Sequence, residues 1–203
     1  MKSYLCLINY TKEIQKLNYI EKSYSNLKEK FGLVRDISLY KTNNVILSNS
    51  TYSKTIDNNH YTIMFTGTIY NSKDIKNMLK KLGYEFSTKT KLKNNNYIIN
   101  IEEYLICEIL ISAYHEFKEK FLNYLNGNFS ICIYNKKDNN VFVARDRLGI
   151  KPLYYSKIDT TNIISTSIKE ILNIPNFKAV IDKLSIAELI GLRSISYTRI
   201  NIF

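Results

Sequence analysis

Residues Val143 to Tyr155 read VARDRLGIKPLYY. Val143 and Ala144 close an apolar, β-favouring run, and Arg145, Asp146 and Arg147 then place three charges in succession at its exit. Gly149 permits a bend there, and Pro152 fixes the backbone before the next apolar residues. Such a pattern predicts two strands joined by a turn whose charges anchor it. Just upstream, Phe129 to Tyr134 and Asn140 to Ala144 form two β-like runs separated by Lys136-Lys137-Asp138-Asn139, a hairpin signal. Downstream, strands are expected near Leu153 to Ser156 and Asn162 to Thr166, continuing the same sheet.

Outward from this block the chain reads in alternating groups. MKSYLCLINY, Met1 to Tyr10, predicts a buried first strand, and a Lys/Glu-rich helical stretch follows to Leu33. Ile37 to Leu47 has room for one or two strands, Asn49 to Asn59 is polar enough for a loop, and His60 to Tyr70 is strand-like with Gly67 interrupting it. Ser72 is the expected cap of a helix carrying Ile75, Met78, Leu79 and Leu82 on one face and ending at Gly83. Lys89 to Asn100, with three consecutive asparagines, reads as a polar insertion. Ile101 to Leu125 has helical spacing broken near Phe117, and Asn126-Gly127 stops it. Short helices are expected at Ile168 to Asn173 and Lys183 to Leu192. Strands and helices in blocks argue for a layered α+β arrangement.

The composition excludes several classes. The 203 residues, 45% of them hydrophobic, suffice for one domain with its own core. The formal charge of +11 raises the question of a nucleic-acid partner, but only Arg35, Arg145, Arg147, Arg193 and Arg199 are arginines. Dispersed lysines among Asn, Ile and Tyr are what an AT-rich coding sequence produces, and nucleic-acid sites favour clustered cations and bidentate Arg. No nucleic-acid and no membrane partner is expected. Cys6, Cys107 and Cys132 are odd in number, far apart and flanked by apolar residues, the pattern of buried free thiols in a reducing cytosol. Tyr104 to Tyr114 is too short to cross a bilayer, and Met1 to Tyr10 lacks a signal-peptide pattern, so a cytoplasmic protein is the expectation. His60 and His115 have no partner nearby in sequence, and the aromatics of Tyr104 to Tyr124 read as helix packing.

Three stretches, in order, resemble asparagine synthetases. TGTIYNSKDIKNMLKKLGYEF, Thr66 to Phe86, is similar to that family's NGEIYN strand and following helix. EFKEKFLNYLNGNFSICIYNKKDNNVFVARDRLGIKPLYY, Glu116 to Tyr155, follows the family pattern almost without gaps, and STSIKEIL, Ser165 to Leu172, is close to its ASEIKAL. The resemblance implies the N-terminal, class II glutamine amidotransferase (Ntn-type) fold: a four-layer αββα sandwich of two antiparallel sheets flanked by helices. In active members an N-terminal cysteine attacks the glutamine amide, with its own α-amine as base. An Asn and a Gly form the oxyanion hole, and an Arg and an Asp hold the α-carboxylate and α-amine. Ammonia then passes to an ATP-using synthetase module.

Carried over residue by residue, that machinery is mostly absent. With Tyr10 on the aromatic that ends the family's CGIVGY-type start, Leu5 falls on the nucleophile and Cys6 on the glycine. If Cys6 is the nucleophile instead, Met1 to Leu5 must be cleaved off to free its nitrogen. The oxyanion hole becomes Thr66-Gly67, keeping a backbone donor and losing an amide worth on the order of 10²-fold. Thr68 replaces a Glu that helps bind the amine, and Ile106 replaces the substrate-binding Asp. No Arg stands in Leu47 to Tyr52, and the family's His-Arg-Gly-Pro-Asp loop is missing. Uncharged residues at Leu5, Thr66, Thr68 and Ile106 suit a pocket that no longer takes up a zwitterion, since unpaired buried charges are costly to keep. The motif that does persist, Arg145, Asp146, Arg147, Gly149 and Lys151, resembles the part of the domain that faces the synthetase module.

Three functions follow as alternatives. The first is a degenerate amidotransferase domain that scaffolds an ATP-dependent amide-forming ligase of asparagine, β-lactam or peptide macrolactam type. The second is an active glutaminase subunit that supplies ammonia after N-terminal processing. The third is a non-enzymatic partner- or peptide-binding module. The expected division is residues 1–172 as the amidotransferase-like domain and 173–203 as linker and start of a synthetase module, whose SGGLDS-type ATP-pyrophosphatase loop does not occur here. Residues 1–203 would then be a fragment, a truncated reading frame or a free-standing subunit. No metal and no cofactor is expected in this domain; ATP and Mg are expected only in a partner synthetase module, in cis or in trans, and a homodimer is a further possibility.

Overall fold

A computed structural model describes residues 4–9, 37–42, 44–50, 54–57, 59–86, 101–174, 177–180 and 182–192. The Lys/Glu-rich stretch to Leu33 and the insertion at 89–100 lie outside these residues. Among the described residues, nine strands form two antiparallel sheets. The first sheet has the order β2-β3-β1-β9-β8 and contains β1 (Tyr4–Ile8), β2 (Ile37–Lys41), β3 (Val45–Ser50), β8 (Tyr154–Ile158) and β9 (Thr161–Ser165). The second has the order β4-β5-β6-β7 and contains β4 (Lys54–Asp57), β5 (Tyr61–Ile69), β6 (Gly127–Asn135) and β7 (Asn140–Arg145). The helices are α1 (Ser72–Lys81), α2 (Ile101–Phe117), α3 (Ile168–Leu172) and α4 (Lys183–Leu192), with a 3-10 segment at Lys118–Tyr124.

The two-residue period of each strand sorts its side chains between two cores. Tyr4, Cys6, Ile8, Val45, Leu47 and Ile164 of the first sheet meet Met64, Cys132 and Tyr134 of the second in one buried cluster between the sheets. The alternate residues Leu5, Leu7, Ile46 and Ile163 face the other way, packing with Ile171 of α3 and Ile174. On the second sheet, Ile63, Phe65, Ile131 and Ile133 face Ile75 and Leu79 of α1 and Leu110 of α2. Three cores between four layers give an αββα sandwich. β1 lies between β3 and β9, with both edges paired and all five residues buried, so an unbroken apolar YLCLI is the sequence such a strand requires.

Three details differ from the sequence reading. The stretch 49–59, expected to be a loop, holds the end of β3 and all of β4, because the backbone of β4 pairs along β5 despite its polar composition. β8 and β9 do not continue the hairpin's sheet: β9 pairs with β1, Leu5 opposite Ser165, so the chain crosses to the first sheet after the RDRLG turn. Without β9, one edge of the buried β1 would carry unsatisfied backbone groups. Ser72 is the first helical residue of α1, not its cap; Asn71 holds the cap position without a side-chain cap bond. The Asn71 amide is committed elsewhere, with Nδ2 donating to the Tyr124 carbonyl (2.8 Å) and Oδ1 accepting from the Asn126 N–H (2.9 Å). That side chain fastens the end of β5 to the end of the 3-10 segment. Gly83 ends α1 at φ +92°, and Lys118, at φ +50°, marks the break between α2 and the 3-10 segment. Among the described residues no helix is long and apolar enough to cross a membrane.

Candidate functional site

The first described residue, Tyr4, opens β1 and points between the sheets. Its ring is fully buried and its hydroxyl lies 2.6 Å from Ser130 Oγ of β6. Ser130 is directly opposite Thr66 on β5, so Tyr4, Ser130 and Thr66 share the end of the inter-sheet space. The main chain of Tyr4 is held as firmly. Its N–H donates to Thr166 Oγ1 (3.0 Å), and its carbonyl accepts from the Thr166 N–H (3.1 Å). Ser165 Oγ lies 2.9 Å from that carbonyl and 2.5 Å from Glu170 Oε2, and accepts from the N–H of Ser167. Burial pushes the Tyr4 phenol well above its usual range, reinforced by Cys132 and Cys6 and opposed by the bond to Ser130. A phenol so held stays protonated, and a protonated oxygen is a poor nucleophile.

The residues singled out in the sequence are distributed unequally around this point. Strand alternation sends Leu5 to the outer face of the first sheet, into the cluster with Ile171 and Ile174, so Leu5 and Thr66 do not meet. Tyr4 is the β1 side chain that reaches Ser130, the residue opposite Thr66. Cys6 follows it inward in mid-strand, paired to Leu47 on one side and Ile164 on the other. Burial first, then a contact with Cys132, raises the Cys6 thiol well above its ordinary value, which disfavours the thiolate. All three cysteines are buried and free. Thr66 is buried and Thr68, on the same face, is exposed opposite Asn128. Ile106 sits on α2 and packs against the outer core of the second sheet, not into the space between the sheets. Gly67 has φ +133°, and a Cβ there would lie 2.0 Å from the Asn128 carbonyl oxygen. Close approach of β5 to β6 therefore requires glycine at this position irrespective of any oxyanion.

The sequence reading missed Tyr4, Ser130, Ser165 and Glu170. The signal for Tyr4 was present: Tyr4, Cys6 and Ile8 recur at period two, which places them on one face of β1 and Leu5 on the other.

The RDRLGIK turn is built quite differently. Asp146 is 4% exposed, and its Oδ1 and Oδ2 accept from the N–H groups of Ile150 and Lys151, each at 2.9 Å. Burial would raise this carboxyl, but the backbone bonds from Lys151, Ile150 and Phe129, with the Arg145 charge, bring it below the usual carboxylate range. The Arg145 guanidinium donates to the Gly149 carbonyl (2.9 Å), and Gly149 itself lies at φ +64°. The turn closes on itself and leaves Leu148 (85% exposed) and Ile150 (53%) projecting outward. Beside it, Tyr70, Leu122, Asn126, Asn128, Arg147 and Leu148 border a cleft of about 510 Å³. His115 and Lys118 are engaged with Tyr61 on the outer face of the second sheet, so the histidine falls in a surface aromatic cluster and not at either place. Among the described residues no three of His, Cys, Asp and Glu come together to hold a metal ion.

The paired antiparallel sheets between helix layers define an Ntn-type amidotransferase fold. Solved structures agree: the glutamine phosphoribosylpyrophosphate amidotransferase from B. subtilis matches with a TM-score of 0.52 over 85% of this chain and 43% of its own, at 10% identity. A structure described as the allosteric regulatory enzyme of purine biosynthesis matches with a TM-score of 0.54 over the same shares. In sequence, residues 54–202 match the glutamine amidotransferase domain family, and the chain belongs to that family. Asparagine synthetase [glutamine-hydrolyzing] 3 of Bacillus subtilis is 33% identical over 132 residues, 65% of this chain and 19% of that protein. Asparagine synthetase [glutamine-hydrolyzing] 1 of the same organism is 35% identical over 99 residues, 49% of this chain and 13% of that protein. The chain thus spans about a fifth or less of the length of these relatives.

Proposed function

We propose that this chain is the amidotransferase-type portion of an asparagine synthetase-like, ATP-dependent amide-forming ligase, and that it acts there as scaffold and docking domain without hydrolysing glutamine. The observation that carries this reading is Tyr4. The chemistry of glutamine hydrolysis needs a thiolate, a free amine beside it and donors for the oxyanion. At the start of β1 stands instead a buried tyrosine whose nitrogen is bonded to Thr166 and whose hydroxyl is taken up by Ser130. Nothing charged among Leu5, Thr66, Thr68 and Ile106 is available for the ammonium or carboxylate of glutamine. For Cys6 to become an N-terminal nucleophile, Tyr4 and Leu5 would have to leave the middle of a five-stranded sheet, with their side chains pulled from two cores.

In this reading the ligase module, in cis or in trans, would hold ATP and Mg. ATP would supply a phosphate-type leaving group on a carboxylate, and an amine carried by the substrate itself would displace that group and lose a proton to form the amide. A β-lactam or a peptide macrolactam is such a product; asparagine would need ammonia from solution. The self-closed RDRLGIK turn supports docking, because it presents Leu148, Ile150 and Arg147 on a rigid base. We place the division near residue 172, with 173–203 leading towards the ligase module. The test is co-purification of the full chain with an SGGLDS-containing synthetase module. Retention that is lost in Ile150→Asp, together with amide formation that does not consume glutamine, is the expected result. Amide formation that depends on glutamine and releases glutamate refutes the scaffold reading.

A further inference from the structure

The cleft beside the turn has a chemistry of its own. Its floor is fixed by main chain: the Tyr70 N–H donates to the Asn126 carbonyl (2.8 Å), and Asn71 ties Asn126 to Tyr124. Three asparagines, Asn123, Asn126 and Asn128, border it. Asn128 Nδ2 donates to the Tyr70 hydroxyl (2.6 Å), which leaves its Oδ1 as an acceptor. The side-chain amides of Asn123 and Asn126 make no hydrogen bond among the described residues. Each such amide offers two donors and an acceptor, matching the alternating N–H and C=O groups of an extended backbone.

The charges in the cleft are unequal. The Asp146 carboxylate and the Arg145 guanidinium are spent on the turn's own backbone. Arg147 is exposed, and among the described residues it forms neither a hydrogen bond nor an ion pair. It is the charge left over for a ligand, and a guanidinium suits a carboxylate. Leu148 and Tyr70, 85% and 61% exposed, add apolar surface to the cleft's lining.

We infer that this cleft binds an extended, acidic peptide segment of a partner chain, with the asparagine amides pairing its backbone and Arg147 pairing a carboxylate beside an apolar side chain. The inference goes beyond the scaffold role and does not require the glutamine pocket to be closed. A preformed floor lowers the ordering cost of such binding.

The experiment is fluorescence anisotropy of the full chain with a labelled, amide-capped hexapeptide of alternating leucine and aspartate between terminal glycines. Saturable binding is expected, weakened by about tenfold or more, roughly 1.4 kcal/mol, in Arg147→Ala and separately in Asn126→Leu. The same peptide with lysine for aspartate should not bind. Unchanged melting of Arg147→Ala, an exposed position, shows that the loss is not unfolding. No saturation at millimolar peptide, equal binding of the lysine peptide, or unaltered affinity in Arg147→Ala overturns the inference. Full displacement by free acetate at the peptide's own concentration overturns it as well, since the site would then be one for small anions.

Discussion

The entrance of β1 and the RDRLGIK turn both belong to an amidotransferase-family domain, yet the first joins mostly uncharged groups, with the Glu170 carboxylate bonded to Ser165, while the second carries Arg145, Asp146 and Arg147 in succession. The difference lies in who satisfies the polar groups. In the turn, the protein's own backbone does: Asp146 takes two N–H groups and Arg145 takes a carbonyl, so the arrangement holds with nothing bound. At the β1 entrance a glutamine pocket would need charges that only the substrate could pair. Buried charges without partners are expensive, and here the Tyr4 hydroxyl bonds Ser130, which lies opposite Thr66 in the sheet.

The contrast is broken most severely at Tyr4. Tyr4→Ala removes a fully buried ring from between the sheets and is expected to lose about 3–5 kcal/mol, read in chemical denaturation. Tyr4→Phe should lose only about 1 kcal/mol, the net worth of the Ser130 bond. If Tyr4→Ala melts like the parent, that end of the sandwich is not closed by this residue. Gly67→Ala comes next, at roughly 2–4 kcal/mol, because the new methyl meets the Asn128 carbonyl and the backbone must hold a positive φ. A loss this large with no glutaminase present would separate the packing role of Gly67 from any oxyanion role.

The turn sharpens the comparison through pH. The folded Asp146 carboxyl lies below its unfolded value, so it contributes stability above the unfolded value of about 3.9, and that contribution is lost as pH falls through the folded value. Asp146→Asn should cost about 1–3 kcal/mol at neutral pH and nearly nothing in strong acid, so the two melting curves converge as pH falls. Parallel curves would assign the acid sensitivity elsewhere. The smallest change is Lys118→Gly. Lys118 holds φ +50°, where glycine costs less, but its ammonium also bonds Tyr61 and sits over the Tyr61 and Tyr114 rings. The two effects nearly cancel, within about 1 kcal/mol.

Much of this was legible in the chain itself. The hairpin over Lys136 to Asn139, the end of α1 at Gly83 and the break after Phe117 follow from local turn chemistry and side-chain period. The sheet to which β8 and β9 belong was not, because that depends on pairing between Leu5 and Ser165, distant in sequence. The site was legible as a family position but not as a geometry. Matching Tyr10 to an aromatic puts Leu5 at the nucleophile, whereas the period of β1 turns Tyr4 between the sheets and Leu5 to the outer core. Ile106 was assigned by counting along a helix, and packing puts it against the outer core. Residues 51–52, at the end of the stretch where the family's carboxylate-binding Arg is expected, lie outside the described residues.

The most direct test of the closed pocket is ammonia release from glutamine by the full chain, with the intact mass of the same sample recorded. The account predicts no release above the protein-free blank, and a mass that still includes Tyr4 and Leu5. Glutamine-dependent ammonia from a chain beginning at Cys6 would contradict it.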